Sequence, residues 1–157
     1  MRTHFIHDRN EIDAILKQCK TCYVAMSDND APYVLPLNFA MDGDRVILHS
    51  AQQGRMWEMI KKNPKVCINW TLGEDLAWQD VQVGCSYRVQ SKSVIIEGTA
   101  EIIEDDVEKE RLFKQFMTQY SDLPFKFSAP AIRNVGVLLV PITKLTAKQF
   151  GVKMVRS

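Results

Sequence analysis

The stretch His49-Ser50-Ala51-Gln52-Gln53-Gly54-Arg55 holds the residues of this chain best suited to bind an anion. It lies where a strand pattern gives way to a helix pattern, and Ser50 with Gln53 has the spacing of a capping box. Free backbone N–H groups and the dipole at a helix start attract negative charge. Gly54 admits a ligand close to the backbone, while Arg55, with Lys61 and Lys62 further on, can reach a phosphate. The same residues also describe an ordinary capped helix with a solvated basic face, and their types alone do not separate the two. Pro36 is the second feature. A proline inside a strand cannot donate to the ladder, so it belongs at an edge or where pairing stops. With Asn38 beside it, that strand offers free backbone groups and an amide to a flat polar ligand, or is simply an edge. His49 is the one candidate catalytic group, an acid beside the same ligand, although a lone histidine at a strand end is more often structural. His4 and His7 read as solvated.

Other chemistry is sparse. The sequence carries no paired carboxylates on one strand face, no nucleophile elbow, no P-loop and no metal-ligand constellation. Glu97, Glu101 and Glu104 read as the solvated face of a strand. Cys19 and Cys22 have CxxC spacing, but they follow a helix instead of opening one, so no dipole lowers a thiol pKa. A second pair to complete a zinc site is missing. The two thiols are expected to pack as small apolar side chains. A chain with so little reactive chemistry points to a borrowed cofactor or to no catalysis.

The elements that must position these residues follow from pattern. Asp8 and Glu11 form a capping box ahead of Ile12, Ile15, Leu16 and Cys19 at helical spacing. Thr21 to Ser27 is rich in β-formers and ends in the turn Asp28-Asn29-Asp30. From Tyr33 to Met41 the odd positions face one way and the even positions the other, and Asp42-Gly43-Asp44 turns this strand into Arg45 to Ser50. A helix is predicted from about Gln52 to Lys62, stopped by Pro64. Lys65 to Thr71 is a strand, 72–83 is irregular, and a long strand runs from about Tyr87 to Glu104 with a bend at Gly98. Asp105-Asp106 caps a helix striped by Leu112, Phe113, Phe116, Met117 and Tyr120. After a loop over 121–130, Ile132 to Ile142 is the final strand. Hairpins outnumber strand–helix–strand units, so the sheet is predicted to be mainly antiparallel. About six strands this long favour a small barrel with helices outside.

The 157 residues suit one domain, here taken as 1–157. Twenty basic against 19 acidic residues leave a net charge of +1, which argues against a nucleic-acid binder working by bulk charge and against a polybasic membrane anchor. The opening residues carry no run that reads as a signal peptide, and no apolar run approaches ~18 residues. Four cysteines are too few for a disulfide scaffold. A reducing cytoplasm is the expected compartment.

Several segments, taken in order, resemble a known family: Cys22-Tyr23-Val24-Ala25-Met26, Pro32 to Phe39, Asp42-Gly43-Asp44, Leu48-His49-Ser50-Ala51, Gly54-Arg55, Asn63-Pro64-Lys65-Val66, Ser93-Val94-Ile95 and Gly98-Thr99-Ala100. Together they resemble the pyridoxamine 5′-phosphate oxidase-like flavin-binding split-barrel superfamily, in its nitroimidazole-resistance branch, over residues 8 to 142. The resemblance implies a mainly β fold: an antiparallel six-stranded split β-barrel of Greek-key type with peripheral helices. It implies a homodimer with one FMN at each of two sites along the interface, FAD or haem being the other ligands such barrels hold. It implies that Pro36, Leu37, Asn38 and Phe39 flank the flavin ring. His49, Ser50, Ala51, Gly54 and Arg55 would hold its phosphate and ribityl chain, and Ser91, Lys92 and Ser93 would line it. Relatives often place an aromatic and a basic residue before the serine of the long strand; here the order is Ser91-Lys92-Ser93. The basic motifs that grip the substrate of pyridoxamine phosphate oxidases are not recognisable, so that reaction is not assigned. The expected activity is flavin-dependent reduction of a small molecule, such as a nitro group on an aromatic heterocycle; the alternative is non-catalytic binding of flavin or haem. Trp78, Phe125 and Phe127 are candidate walls on the substrate side, or plain loop anchors.

Overall fold

Short β-rich segments that each bury one face have to close on one another, and here they do so with an opening. The computed structural model describes residues 2–152. Nine strands form: β1 (Arg2–Ile6), β2 (Cys22–Asp28), β3 (Ala31–Leu37), β4 (Phe39–Asp42), β5 (Arg45–Ala51), β6 (Lys65–Ala77), β7 (Arg88–Thr99), β8 (Glu101–Ile103) and β9 (Val135–Val152). All the pairings are antiparallel, in the order β3-β2-β6-β7-β9-β5-β4, with β1 and β8 also on β9. The two ends of that order, β3 and β4, are consecutive in the chain and joined through Asn38. The barrel is therefore closed there by the backbone and not by ladder bonds: it is a split barrel.

The count exceeds six because strands that read as continuous are broken where they turn from one sheet to the other. The Tyr33–Met41 run divides at Asn38, whose amide donates to the Lys20 carbonyl at 3.1 Å. Tyr120 pins the same corner. Its hydroxyl accepts from the Phe39 N–H at 2.9 Å and lies 2.8 Å from the Phe39 carbonyl and 3.1 Å from that of Lys20, either of which its proton can serve. The long strand divides at Ala100, whose N–H donates to the Pro64 carbonyl at 2.8 Å. β9 does the reverse: it runs 18 residues, past the expected end near Pro141. Pro141 stands at the last rung of the β5 ladder, just where β9 passes to β7, so its missing N–H interrupts neither run. The expected irregular stretch 72–83 is partly strand, since β6 continues to Ala77. Residues 129–133, expected as loop and strand start, form the short helix α4 (Ala129–Arg133) with Pro130 in its first turn.

Two apolar layers result. Inside the barrel, Phe39 and Trp70 meet edge to face at 5.0 Å among Val24, Ile68, Val94, Ile96, Leu138 and Val140. Helix α1 (Arg9–Gln18) and helix α2 (Arg55–Lys62) lay Ile12, Ile15, Leu16, Met56, Met59 and Ile60 on this core. Helix α3 (Asp106–Met117) packs Leu112 and Phe116 on the other side of β4, β5 and β9, against Ala40, Ile47, Val137 and Leu139. Asp8 and Asp105 cap α1 and α3 as their sequences indicate, although Glu11 leaves its capping box to pair with Lys92 at 2.7 Å. Cys19 and Cys22 are buried, and burial pushes the Cys22 thiol up to about 12, the opposite of a reactive dithiol. Among the described residues, no helix is long and apolar enough to cross a membrane.

Candidate flavin and anion site

Helix α2 starts later than its sequence suggests. Its N-cap is Gly54, at φ 111°, with no side-chain cap, and its first intrahelical bond is Glu58 N–H to the Gly54 carbonyl. Ser50 and Gln53 do not form the expected capping box. Ser50 is instead engaged on the inner side of β5: its Oγ accepts from Trp57 Nε1 at 2.9 Å and donates to the Ala51 carbonyl at 2.8 Å. The opening of α2 thus keeps amides with no helical partner and no competing side chain. A side chain at position 54 would meet no atom within 4 Å, so the space above this turn is open. That opening fits a phosphate.

Arg55, the first residue of α2, lays its guanidinium over the Tyr33 ring with 4.4 Å to the centroid. This contact joins the helix start to β3, the terminal strand where Pro36 was expected at an edge and is found. Pro36 is exposed three residues further along, about 10 Å away at ~3.3 Å per residue, and on the opposite face of β3 from Tyr33, which packs on the core. Pro36, Tyr23, Asn69 and Ile95 form one row across β3, β2, β6 and β7, and Thr71, Ser93 and Lys148 form the next. Ser91 and Ser93 alternate with buried Val94 and Ile96, so they share this outer face with Pro36. The face is partly apolar: Phe5, Tyr23 and Val34 are exposed on it.

The structure does not gather every expected residue on that surface. His49 and Ser50 are adjacent on β5 and point to opposite faces. His49 turns toward α3, where its ring lies 4.6 Å from Phe116 and 5.4 Å from Phe113, and burial lowers its pKa. It therefore stands away from Arg55. Phe39 is fully buried against Trp70, and Leu37 packs on the core while its carbonyl accepts from the Cys22 thiol at 3.5 Å. Lys92 points inward to Glu11 of α1, away from the outer face that bears its two serine neighbours. Ala51 and Asn38 remain exposed at their strand ends. Trp78 stacks on Tyr87 at 5.4 Å in the β6–β7 arm, and Phe127 meets Phe113 at 5.5 Å beside α3, so these two candidate walls stand on different parts of the fold. Tyr33 and Trp57, which set the attitude of Arg55 and Ser50, were absent from the sequence-level site. The alternation of β3 and the helical spacing of α2 carried the only signal for them.

Comparison with known proteins bears on the family and the fold. The family model described as pyridoxamine 5′-phosphate oxidase matches residues 8–149. A proposed 5-nitroimidazole antibiotic resistance protein from Bacteroides thetaiotaomicron is 38% identical, covers 94% of this chain and 87% of its own, and superimposes with a TM-score of 0.85. The flavocytochrome Anf3 from Azotobacter vinelandii is 22% identical over 98% of this chain and 72% of its own, with a TM-score of 0.82. A FAD and haem binding protein from Mycobacterium smegmatis is 16% identical over 97% of this chain and 76% of its own, with a TM-score of 0.75. The last two share the fold. No curated protein matches the chain.

Proposed function

The chain belongs to the pyridoxamine 5′-phosphate oxidase family, and from that premise we propose that it is a flavin-dependent oxidoreductase of small molecules. FMN is the proposed cofactor, and a nitro group on an aromatic heterocycle is the proposed target. The observation that carries this reading is the 38% identity to the Bacteroides protein over 94% of the chain. The open turn at Gly54 and Arg55 supports it independently. When bound, FMN supplies the hydride or electron transfer that no side chain here can perform. The chain's own part is to bind and orient. Arg55 and the free amides at the start of α2 neutralise the phosphate, and Gly54 keeps the approach open. Pro36, Asn38, Ser91 and Ser93 offer the flat, partly polar outer face on which a ring can lie.

The working unit is proposed to be a homodimer of one flavin-binding domain. Exposed Phe5, Tyr23 and Val34 lie on the same face as Pro36 and Ser93, and a second copy over that face excludes water from both ligand and apolar side chains. All four cysteines are free thiols, in keeping with a reducing cytoplasm. A small molecule, and not nucleic acid or a membrane, is the proposed partner.

The test is an absorption spectrum of the purified protein and identification of the released ligand, followed by anaerobic mixing with reduced nicotinamide and a nitroaromatic. Turnover with a flavin spectrum supports the proposal. A protein that neither carries nor takes up flavin overturns it. One observation favours the second reading, a non-catalytic flavin or haem carrier: His49, the candidate acid, is turned under α3. A stable bound spectrum without turnover selects that reading.

A further inference from the structure

The β6–β7 arm presents apolar side chains that the barrel core does not take up. Gly73, at φ 79°, opens a bulge between Leu72 and Asp75, where the pairing register shifts. Leu72, before the bulge, packs on the core; Leu76, after it, pairs with Val89 and is exposed. One step further along, Trp78 and Tyr87 stack at 5.4 Å with their planes 20° apart. By alternation these four side chains share the outer face of Ser91 and Ser93. They are between 37% and 57% exposed. At the other end of the same face lies an open groove of about 620 Å³. Ala25, Cys67 and Glu97, one row of the sheet, form its floor. Exposed Val34 pairs with Ala25 at its rim.

The two ends are placed symmetrically. Along β7, Tyr87 stands five residues before Lys92 and Glu97 five residues after it, about 16 Å either way at ~3.3 Å per residue. Between them the outward residues are polar: Ser91, Ser93 and, on β6, Thr71. A two-fold axis between two such faces, running across the strands at Lys92, sets arm over groove twice. We propose that the occupant is a second copy of this chain: the Trp78–Tyr87 pair of one copy seats in the groove of the other. Leu76 and Val89 then meet the partner's Tyr23 and the partner's Ile95. This rests on the homodimer reading above and gives it a register. The area agrees with it. At roughly 70–100 Å² apiece, Tyr23, Val34 and the four arm residues offer on the order of 400–600 Å². That is most of the ~800 Å² each partner buries in a stable complex, and the polar middle adds to it. Aromatic anchors seated in pockets are where such interfaces concentrate their binding energy.

The test is sedimentation of the protein as purified, with variants at both ends of the face. The parent is expected to sediment as a dimer. Trp78→Ser, at an exposed position, should weaken it about thirtyfold or more, the loss of a truncated aromatic anchor. Ala25→Trp, which fills the groove, acts in the same direction, while Leu123→Ser, on an exposed loop elsewhere, leaves the dimer unchanged. Position is read by oxidising Trp78→Cys in a Cys85→Ser background, at a concentration where that variant is dimeric. A disulfide between position 78 and the partner's Cys67 is expected. A dimer in which position 78 links to itself or to nothing, or unchanged affinity in Trp78→Ser or Ala25→Trp, overturns the register and leaves the homodimer standing. A parent that sediments as a monomer overturns both.

Discussion

Gly136 offers a sharp test of how α2 is held. It sits opposite Ser50 in the β5–β9 ladder, and Trp57 rests on both: the indole N–H donates to Ser50 Oγ while the ring lies against the Gly136 backbone. A Cβ at 136 would stand 2.1 Å from Cζ2 of Trp57, 2.8 Å from Cη2 and 2.9 Å from Cε2. Gly136→Ala must therefore push the ring back by more than an ångström to reach ordinary contact at 3.4 Å. Overpacking of this kind costs about 1–3 kcal/mol. The displaced indole also loses Ser50, and a buried donor left unpaired costs about 1–3 kcal/mol more. The sum, roughly 2–6 kcal/mol, corresponds to a fall in Tm of about 4–24 °C for a chain of this size. Thermal unfolding followed by circular dichroism reads it, with Gly84→Ala as control, since a Cβ there meets nothing within 4 Å. Trp57→Phe removes most of the clashing ring, so the cost of Gly136→Ala should shrink sharply in that background. A Tm within 1 °C of the parent, or an equal cost in both backgrounds, refutes the packing argument.

Three further outcomes follow from the same structure. Arg55→Ala should weaken flavin binding about ten- to a hundredfold, the worth of a charge-assisted bond to phosphate, while Tm of the flavin-free protein changes little because Arg55 itself is exposed; fluorescence titration with FMN measures the first and unfolding the second. His49 should make the protein lose stability as pH falls. Burial holds its folded pKa below the ordinary histidine value of about 6.5, so as pH falls the unfolded chain binds the extra proton first. Stability should decline from about pH 6.5 down to the folded pKa and then level off. Denaturant midpoints across pH 5–8 should show this slope in the parent and lose it in His49→Phe. Iodoacetamide at pH 8 should label exposed Cys85 and spare Cys22, whose thiol is buried and raised to about 12; mass spectrometry of the native protein decides, and rapid labelling of Cys22 contradicts the packing reading of the CxxC pair.

Local chemistry was legible wherever one element contained its own reason. Asp8 and Asp105 cap their helices, Pro64 ends α2 and Pro36 lies on a terminal strand, because each depends on backbone groups a few residues away. The ordered segments from Cys22 to Ala100 were enough to indicate the split barrel. What failed to read was whatever depended on a partner distant in the chain. Ser50 with Gln53 satisfies the spacing of a capping box, yet Trp57 claims the serine hydroxyl, and the helix starts at Gly54 instead. Glu11 likewise abandons its box for Lys92, 81 residues away. Strand ends were misread at Asn38, Ala100 and Pro141, since a strand turns between sheets where its ladder partners change.

The sequence by itself determined the β-rich class, a glycine followed by an arginine between a strand and a helix, and the scarcity of reactive side chains. These are properties of residue type and short-range spacing. Tertiary structure decided which of the nominated residues share a surface. It kept Pro36, Ser91 and Ser93 on one outer face, and sent His49 under α3 and Phe39 into the core. The physical reason is the two-residue period of a strand: neighbours in sequence face opposite ways, and only the closing of the sheet says which way is ligand and which is core.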